Sequence, residues 1–290
     1  MKTISPSRSR RREALVQPFL KWVGGKRQLL PVIRPLMPPQ REIRTYFEPF
    51  IGGGAVFFDL QHSSAVINDA NEELVNCYQV IRDAPDALLQ AVLKHENTSE
   101  HFYRVREMDR SPKFNLLHPV ERAARIFYLN KTCFNGLFRV NSQGQFNVPF
   151  GFYKDPTIAD PAVIRAVSTY LNEAKITMKC GDFTDATAEA KADDLVYFDP
   201  PYDPVSDTAS FTGYNLGGFD RNEQRRLKRV CDELTARSVK VLLSNSDTPF
   251  IRDLYASEYR IESVQARRNV NSVATGRGKV DELLILNYRS

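Results

Sequence analysis

Residues 45–69 read TYFEPFIGGGAVFFDLQHSSAVIND. Tyr46 to Pro49 carry a strand signal, three glycines follow at Gly52, Gly53 and Gly54, and an apolar helical pattern starts near Ala55. A second strand signal covers Ala65 to Asn68 and is tipped by Asp69, with a helix predicted to open near Asp69–Asn71. Strand, glycine turn, helix and a strand ending on an acid form the first half of an open nucleotide-binding α/β sheet. The glycines let backbone approach a ligand closely, and Asp69 stands where a carboxylate accepts hydrogen bonds from a ribose diol. The dinucleotide fingerprint GxGxxG needs a third glycine, but Phe57 occupies that position. This departure argues against NAD and leaves another adenosine cofactor open.

Working outward, strand–helix alternation resumes near Ile176 with ITMKCGDF, DLVYFDPPY, VKVLLSNS and DELLILNYRS. Leu195 to Phe198 are a continuous apolar run, as in a strand buried on both faces. Pro200 lacks an amide hydrogen and pushes Asp199 towards extended geometry, so the strand must stop there. A stiff turn with a carboxylate thus sits at a strand's carboxyl end, the edge where open α/β sheets bind ligands.

Between these halves, residues 72–131 are helical in pattern, and VERAARIFYLNK puts Val120, Ala124, Phe127 and Phe134 on one apolar face. Next, Phe138-Arg-Val-Asn and Gln145-Phe-Asn-Val flank Ser142-Gln143-Gly144, the pattern of a β-hairpin. The predicted fold is therefore a Rossmann-like α/β sheet with a helical insert that bears a β-hairpin. Residues 14–71 and 176–290 make one discontinuous domain, 72–175 the insert, and 1–13 a disordered arginine-rich arm.

The chain has 290 residues, a formal net charge of +5 and a pI of about 9.0, a modest basic excess compatible with a polyanionic partner. No apolar stretch approaches the ~20 residues that span a bilayer. The N-terminus has basic residues but no apolar core of a secretory signal. Cys77, Cys133, Cys180 and Cys231 form no CxxC pair, so neither a metal site nor a disulfide framework is expected, and the compartment is read as the cytoplasm.

Three separated segments share one order: PFLKWVGGKRQLL at 18–30, FEPFIGGG at 47–54 and DPPY at 199–202. With the hairpin NGLFRVNSQGQFNVPFG (135–151) between the last two, they resemble the α-group amino-methyltransferases that use S-adenosylmethionine, and among these the Dam-type DNA adenine methylases. The resemblance runs from Gln17 to Tyr288. It implies a Rossmann-like methyltransferase sheet with 72–175 as the target-recognition domain. It also implies methyl transfer to adenine N6 in double-stranded DNA, with GATC as the site.

The chemistry fits the residues. Adenine N6 is a poor nucleophile because its lone pair is delocalised into the ring. Asp199 and the Pro200 carbonyl can accept its two hydrogens, and two such preorganised acceptors are worth ~3–4 kcal/mol per contact. Tyr202 offers a stacking face, and Pro201 helps hold the turn rigid. A base in a duplex must first be flipped out, at a cost of a few kcal/mol.

The resemblance further assigns S-adenosylmethionine contacts to Trp22, Lys26, Phe50, Gly52, Gly54, Asp69, Asp182 and Asp199. It assigns DNA contacts to Lys21 and Arg139 as guanine readers, Phe134 and Leu137 as wedges, Pro149 against a thymine methyl, and Asn135 and Asn141 in the hairpin. Arg267 and Arg268 are expected at phosphates, beside Arg277 and Lys279. Restriction–modification members of this family have a companion endonuclease on the same site, orphan members do not, and a monomer or weak dimer is expected.

Other functions fit less well. A cytosine-C5 methylase needs a cysteine after a proline, and none of the four cysteines follows one. N4-cytosine enzymes more often carry serine where Asp199 stands, and RNA adenine methylases asparagine. A nucleotide-dependent oxidoreductase meets the missing third glycine.

Overall fold

A computed structural model of the chain describes residues 15–205, 218–267 and 279–289, with side chains at 266–267 and 279–281 outside the description. The predicted arm at 1–13, Arg268 and Arg277 lie outside the described residues.

Seven strands form one sheet: β1 (Tyr46–Glu48), β2 (Ser64–Asp69), β3 (Lys175–Cys180), β4 (Leu195–Phe198), β5 (Lys240–Ser246), β6 (Arg260–Arg267) and β7 (Lys279–Leu286). Their order is β3-β2-β1-β4-β5-β7-β6. β1 pairs in parallel with β2 and β4, and β4 with β5. β7 runs antiparallel between β5 and β6. Each predicted strand is present. β1 stops at Glu48 rather than Pro49, because a proline cannot donate to the ladder.

The order has a consequence for the site. The chain builds β2 on one side of β1 and later returns to place β4 on the other, so the direction of winding reverses between β1 and β4. Tyr46 pairs with Leu195 and Phe47 with Val196, so the segments after Glu48 and Phe198 emerge side by side. This is the crevice that open α/β sheets use for ligands.

The chain divides into two compact units. The sheet unit comprises the described parts of 26–51, 64–70 and 179–290. Its core gathers Phe47, Val196, Phe198, Leu243 and Ile285 from the strands. The helix Arg221–Ala236 adds Leu227, Val230, Cys231 and Leu234, buried at the i, i+3, i+4, i+7 spacing of a core-facing stripe.

The helical unit comprises 15–25, Gly52–Ser63 and Asn71–Met178. Its helices start where the sequence supplies caps. Asn71 accepts from the Leu74 amide ahead of Glu72–Asp83, and Asp160 caps Pro161–Glu173. The helix Pro119–Thr132 buries Val120, Ala124 and Phe127, as the periodicity predicted. Phe134 departs from that stripe: the helix ends at Thr132 and the ring is 52% exposed. The predicted hairpin is present through bridges at Cys133↔Phe150 and Val140↔Phe146, short of regular strands. Among the described residues, no helix is long and apolar enough to cross a membrane.

Candidate functional site

At the carboxyl end of β4, Asp199 sits at the winding reversal of the sheet unit. Lys26 Nζ lies 2.8 Å from Asp199 Oδ1. Ser244, near the end of β5, donates from Oγ to the same oxygen at 3.1 Å. Burial pushes the Asp199 carboxyl up from its ordinary pKa, and Lys26 and Ser244 pull against that shift. Lys26 also stands 4.7 Å from the centre of the Tyr202 ring. The Tyr202 hydroxyl donates to Glu282 Oε2 at 2.9 Å, and burial with the carboxylates of Asp199 and Glu282 raises its pKa.

The DPPY turn is clamped from behind. The Gln224 amide donates to the Pro201 carbonyl at 2.9 Å, and the Asp203 amide donates to Asn245 Oδ1 at 3.1 Å. Asn245 Nδ2 reaches Gln224 Oε1 at 3.0 Å, closing the circuit. The buried Asp203 carboxylate accepts from Thr248 Oγ1 at 2.7 Å and Arg221 Nε at 3.1 Å, while Ser246 Oγ donates to its carbonyl. With both proline φ angles restricted, the turn has little freedom left.

Along the same edge, Asn68 Nδ2 donates to the carbonyls of Pro49, at 2.9 Å, and Gly181, at 3.0 Å. This ties the segments after β1 and β3 on either side of Asp69. The Phe50 ring packs 5.3 Å from Phe183 and 5.7 Å from Phe219, an apolar wall. Asp182 caps the short helix Phe183–Thr187 and receives the Arg226 fork at 2.9 and 2.7 Å. That arginine holds its carboxyl down at about 2. Beside this aromatic wall, a Cβ added at Gly181 would meet nothing within 4 Å among the described residues.

The helical unit holds the glycine loop. Gly52 and Gly54 adopt φ of +48° and +70°, in the left-handed region that favours glycine. A Cβ on Gly52 would come 2.9 Å from the Trp22 ring, and one on Gly54 2.6 Å from the Tyr78 hydroxyl. That hydroxyl donates to the Gly52 carbonyl at 3.0 Å and so shapes the loop. Trp22 is half-buried and stacks on Phe138 at 4.8 Å.

The hairpin residues and Lys21 meet in this unit. Asn130, buried near the end of its helix, accepts from the Lys21 amide at 2.9 Å and donates to the carbonyls of Lys21 and Gly136. A Cβ on Gly136, where φ is +64°, would collide with the Lys21 side chain. Asn135 is exposed at φ +57°, its amide donating to the Tyr153 hydroxyl at 3.1 Å. Pro149 is exposed and Leu137 half-buried. The Asn141 side chain is engaged within the turn, accepting from the amides of Gln143 and Gln145. Arg139 is exposed, with Nε donating to Asn147 Oδ1 at 2.7 Å. Arg267 closes β6 with its backbone, and its side chain lies outside the description.

Residues 22–270 match the sequence profile described as D12 class N6 adenine-specific DNA methyltransferase. The chain belongs to that family. A type II methyltransferase of Lactococcus lactis subsp. cremoris, M1.LlaDCHI, is 46% identical, covering 94% of this chain and 96% of the relative. A second, M.MjaIII of Methanocaldococcus jannaschii, is 40% identical over 94% of this chain and 99% of its own length. The DNA adenine methylase of Escherichia coli K12 is 36% identical, covering 92% of this chain and 94% of that protein. The family's substrate is DNA, and its chemistry requires a methyl donor.

In this methyltransferase, several positioning residues escaped the sequence reading. Ser244, Asn245 and Ser246 close an apolar strand with three small polar groups, a signal that was available in VKVLLSNS. Asp203 follows directly on the quoted DPPY stretch yet received no role there. Glu282 within β7, Asn130 within a helix and Gln224 on another carry no local signal at all.

Proposed function

We propose that this methyltransferase moves a methyl group from S-adenosylmethionine to N6 of an adenine flipped out of duplex DNA, within GATC. The observation that carries the reading is the buried Lys26–Asp199 pair beside Tyr202 at the winding reversal of the sheet. When bound, the cofactor supplies an electrophilic methyl group on a sulfonium.

The chain's own residues account for the rest. Lys26 and Ser244 both donate to Asp199 Oδ1, so Oδ2 is the oxygen proposed to accept an N6 hydrogen. The Pro200 carbonyl accepts the other, which favours a pyramidal amine with an available lone pair. As N6 gains its bond it must lose a proton, and a carboxylate with a raised pKa suits that role. Tyr202, anchored through Glu282, offers its face to the flipped base. Pro201, held by Gln224, keeps the turn in place.

Phe50, Asp69 and Asp182 are proposed around the cofactor's adenosine, with Trp22, Lys26, Gly52 and Gly54 as further contacts. Lys21 and Arg139 are proposed to read guanines, Phe134 and Leu137 to wedge into the stack, and Pro149 to touch a thymine methyl. Asn135 and Asn141 are proposed to contact DNA from the recognition hairpin, and Arg267 and Arg268 to meet phosphates. The names of the Lactococcus and Methanocaldococcus relatives support a place in restriction–modification, with a companion endonuclease at the same site.

The test is Asp199→Ala assayed with radiolabelled S-adenosylmethionine on a duplex holding one GATC and on a duplex lacking it. Near-abolition of transfer is expected from a protein that still folds, with a lowered thermal midpoint because Lys26 is left buried without its partner. Retention of more than about a tenth of the rate, a loss of only ~1.4 kcal/mol, removes Asp199 from the chemistry. Equal wild-type rates on the two duplexes remove the GATC assignment.

A further inference from the structure

Arg139 is joined to Asn147 twice. Besides the 2.7 Å side-chain bond, the Asn147 amide donates to the Arg139 carbonyl at 3.1 Å, so the two residues are cross-strand partners in the hairpin. Asn147 itself sits between Phe146 and Val148, whose side chains are buried.

The strand carrying Asn147 is anchored to the interior of the helical unit. The Phe146 amide donates to Asp109 Oδ2 at 2.8 Å, and its carbonyl accepts from Arg110 Nη2 at 3.2 Å. Asp109 Oδ2 also receives Arg125 Nη2 at 2.7 Å. Arg125 is only 1% exposed and further bonds the carbonyls of Val105 and Arg106 at 2.9 and 2.8 Å. A buried guanidinium with its charge partnered and its Nε and Nη2 donors engaged is a rigid post. From that post the connections run through Asp109, the Phe146 amide and Asn147 to an exposed arginine.

An arginine on a surface hairpin ordinarily samples many rotamers, and ordering it opposes binding. The bond to Asn147 uses Nε, the donor nearest the stem. Among the described residues the two terminal nitrogens carry no hydrogen bond, and they form the parallel pair that matches guanine O6 and N7.

We propose that Asn147 is a specificity-determining positioning residue, which aims the Arg139 fork at a guanine from a strand braced by the buried Asp109–Arg125 pair. This rests on the reading of Arg139 as a base contact. Asn147 acts through Arg139 and touches neither the reacting amine nor the methyl donor. A phosphate clamp built from the same two residues would grip all sequences alike, so discrimination separates the two.

The experiment uses the full-length enzyme with Arg139→Ala, Asn147→Ala and Asn147→Asp. Initial rates are compared on GATC duplexes, on duplexes with each base pair replaced in turn, and on duplexes with 7-deazaguanine for guanine. Wild type is expected to lose at least tenfold when the guanine N7 is removed. Arg139→Ala and Asn147→Ala should both become indifferent to that change, at the same single base pair. Asn147→Asp, which keeps the acceptor oxygen, should restore discrimination, with thermal midpoints of all variants near wild type.

If Arg139→Ala relaxes one position while Asn147→Ala keeps full discrimination, the arginine aims itself and the positioning role fails, with the base-reading role intact. A uniform loss for Asn147→Ala across all duplexes likewise makes it merely structural and overturns the proposal. If Arg139→Ala itself leaves discrimination unchanged, the underlying reading of that arginine fails first.

Discussion

Lys26 Nζ and Asp199 Oδ1 are 2.8 Å apart, with side chains 6% and 19% exposed, so two residues expected at the cofactor form one ion pair at the DPPY turn. Asp199 is held above the ordinary carboxylate range by burial, and Lys26 is the largest influence opposing that shift. Its activity should therefore disappear as pH falls through a value above 3.8, the ordinary aspartate pKa. In Lys26→Met this acid limb should move to higher pH. Breaking the pair should also cost about 3 kcal/mol near neutrality. Because the native carboxyl binds its proton more tightly than the unfolded one, the variant should lose stability as pH rises through the raised pKa. A pH–rate profile of kcat and urea unfolding at several pH values check both; an acid limb that stays put would sink the assigned role of Lys26.

Asp203 separates a buried from an exposed interaction on one carboxylate. Thr248 bonds it in the interior, whereas Arg221 is 57% exposed. Asp203→Ala should cost about 2–4 kcal/mol by leaving buried donors without an acceptor, and should slow methyl transfer at least tenfold by loosening the DPPY turn. Arg221→Ala should cost no more than about 1 kcal/mol, as exposed ion pairs do. Chemical denaturation and steady-state rates on the two proteins test the contrast, which is lost if they behave alike.

The glycine loop should tolerate substitution unequally. Gly54→Ala combines a left-handed φ with a Cβ 2.6 Å from the Tyr78 hydroxyl and 3.0 Å from Phe58. About 2–3 kcal/mol of destabilisation is expected, with weakened S-adenosylmethionine binding by calorimetry. At Gly53 φ is ordinary and the nearest contact is 3.2 Å, so Gly53→Ala should cost less than about 1 kcal/mol. Equal effects at the two positions would show that backbone geometry does not set the loop.

His95 and His101 give the helical unit a pH dependence of its own. Arg104 Nη2 lies 3.2 Å from His101 Nδ1, and His101 Nε2 lies 3.0 Å from His95 Nδ1. Arginine can only donate, so His101 accepts at Nδ1 and donates its one ring hydrogen in a hydrogen bond from Nε2 to His95 Nδ1, which leaves both rings neutral. Burial, aided by His101, lowers the His95 pKa from 6.5 to about 4. Between those values the unfolded chain binds a proton that the native ring refuses, so stability is full above 6.5 and declines as pH falls. His95→Phe keeps a ring over Tyr128, on which His95 stacks at 4.6 Å, and should remove most of that dependence in urea titrations from pH 7.5 to 4.5.

Local backbone chemistry made much of this molecule legible from its residues alone. Prolines at 200 and 201 end β4 in the sequence as in the structure, and the glycines at 52 and 54 mark the turn they make. Such residues restrict or free φ within their own few positions, so no partner is needed to interpret them. The caps at Asn71 and Asp160 act over two or three residues and belong to the same class.

Tertiary structure alone decided what holds those parts. Ser244 reaches Asp199 across 45 positions, Asn245 the Asp203 amide across 42, and Asn130 the Lys21 amide across 109. The insertion of β7 between β5 and β6 carries Glu282 to Tyr202, and no periodicity within β7 announces that neighbour. Phe134 shows the converse: its helical spacing matched a buried stripe, but the helix had ended two residues earlier and left the ring in solvent. A side chain's spacing reports which face it would share, whereas its partner depends on how distant strands and helices pack, and that is settled only when the whole core forms.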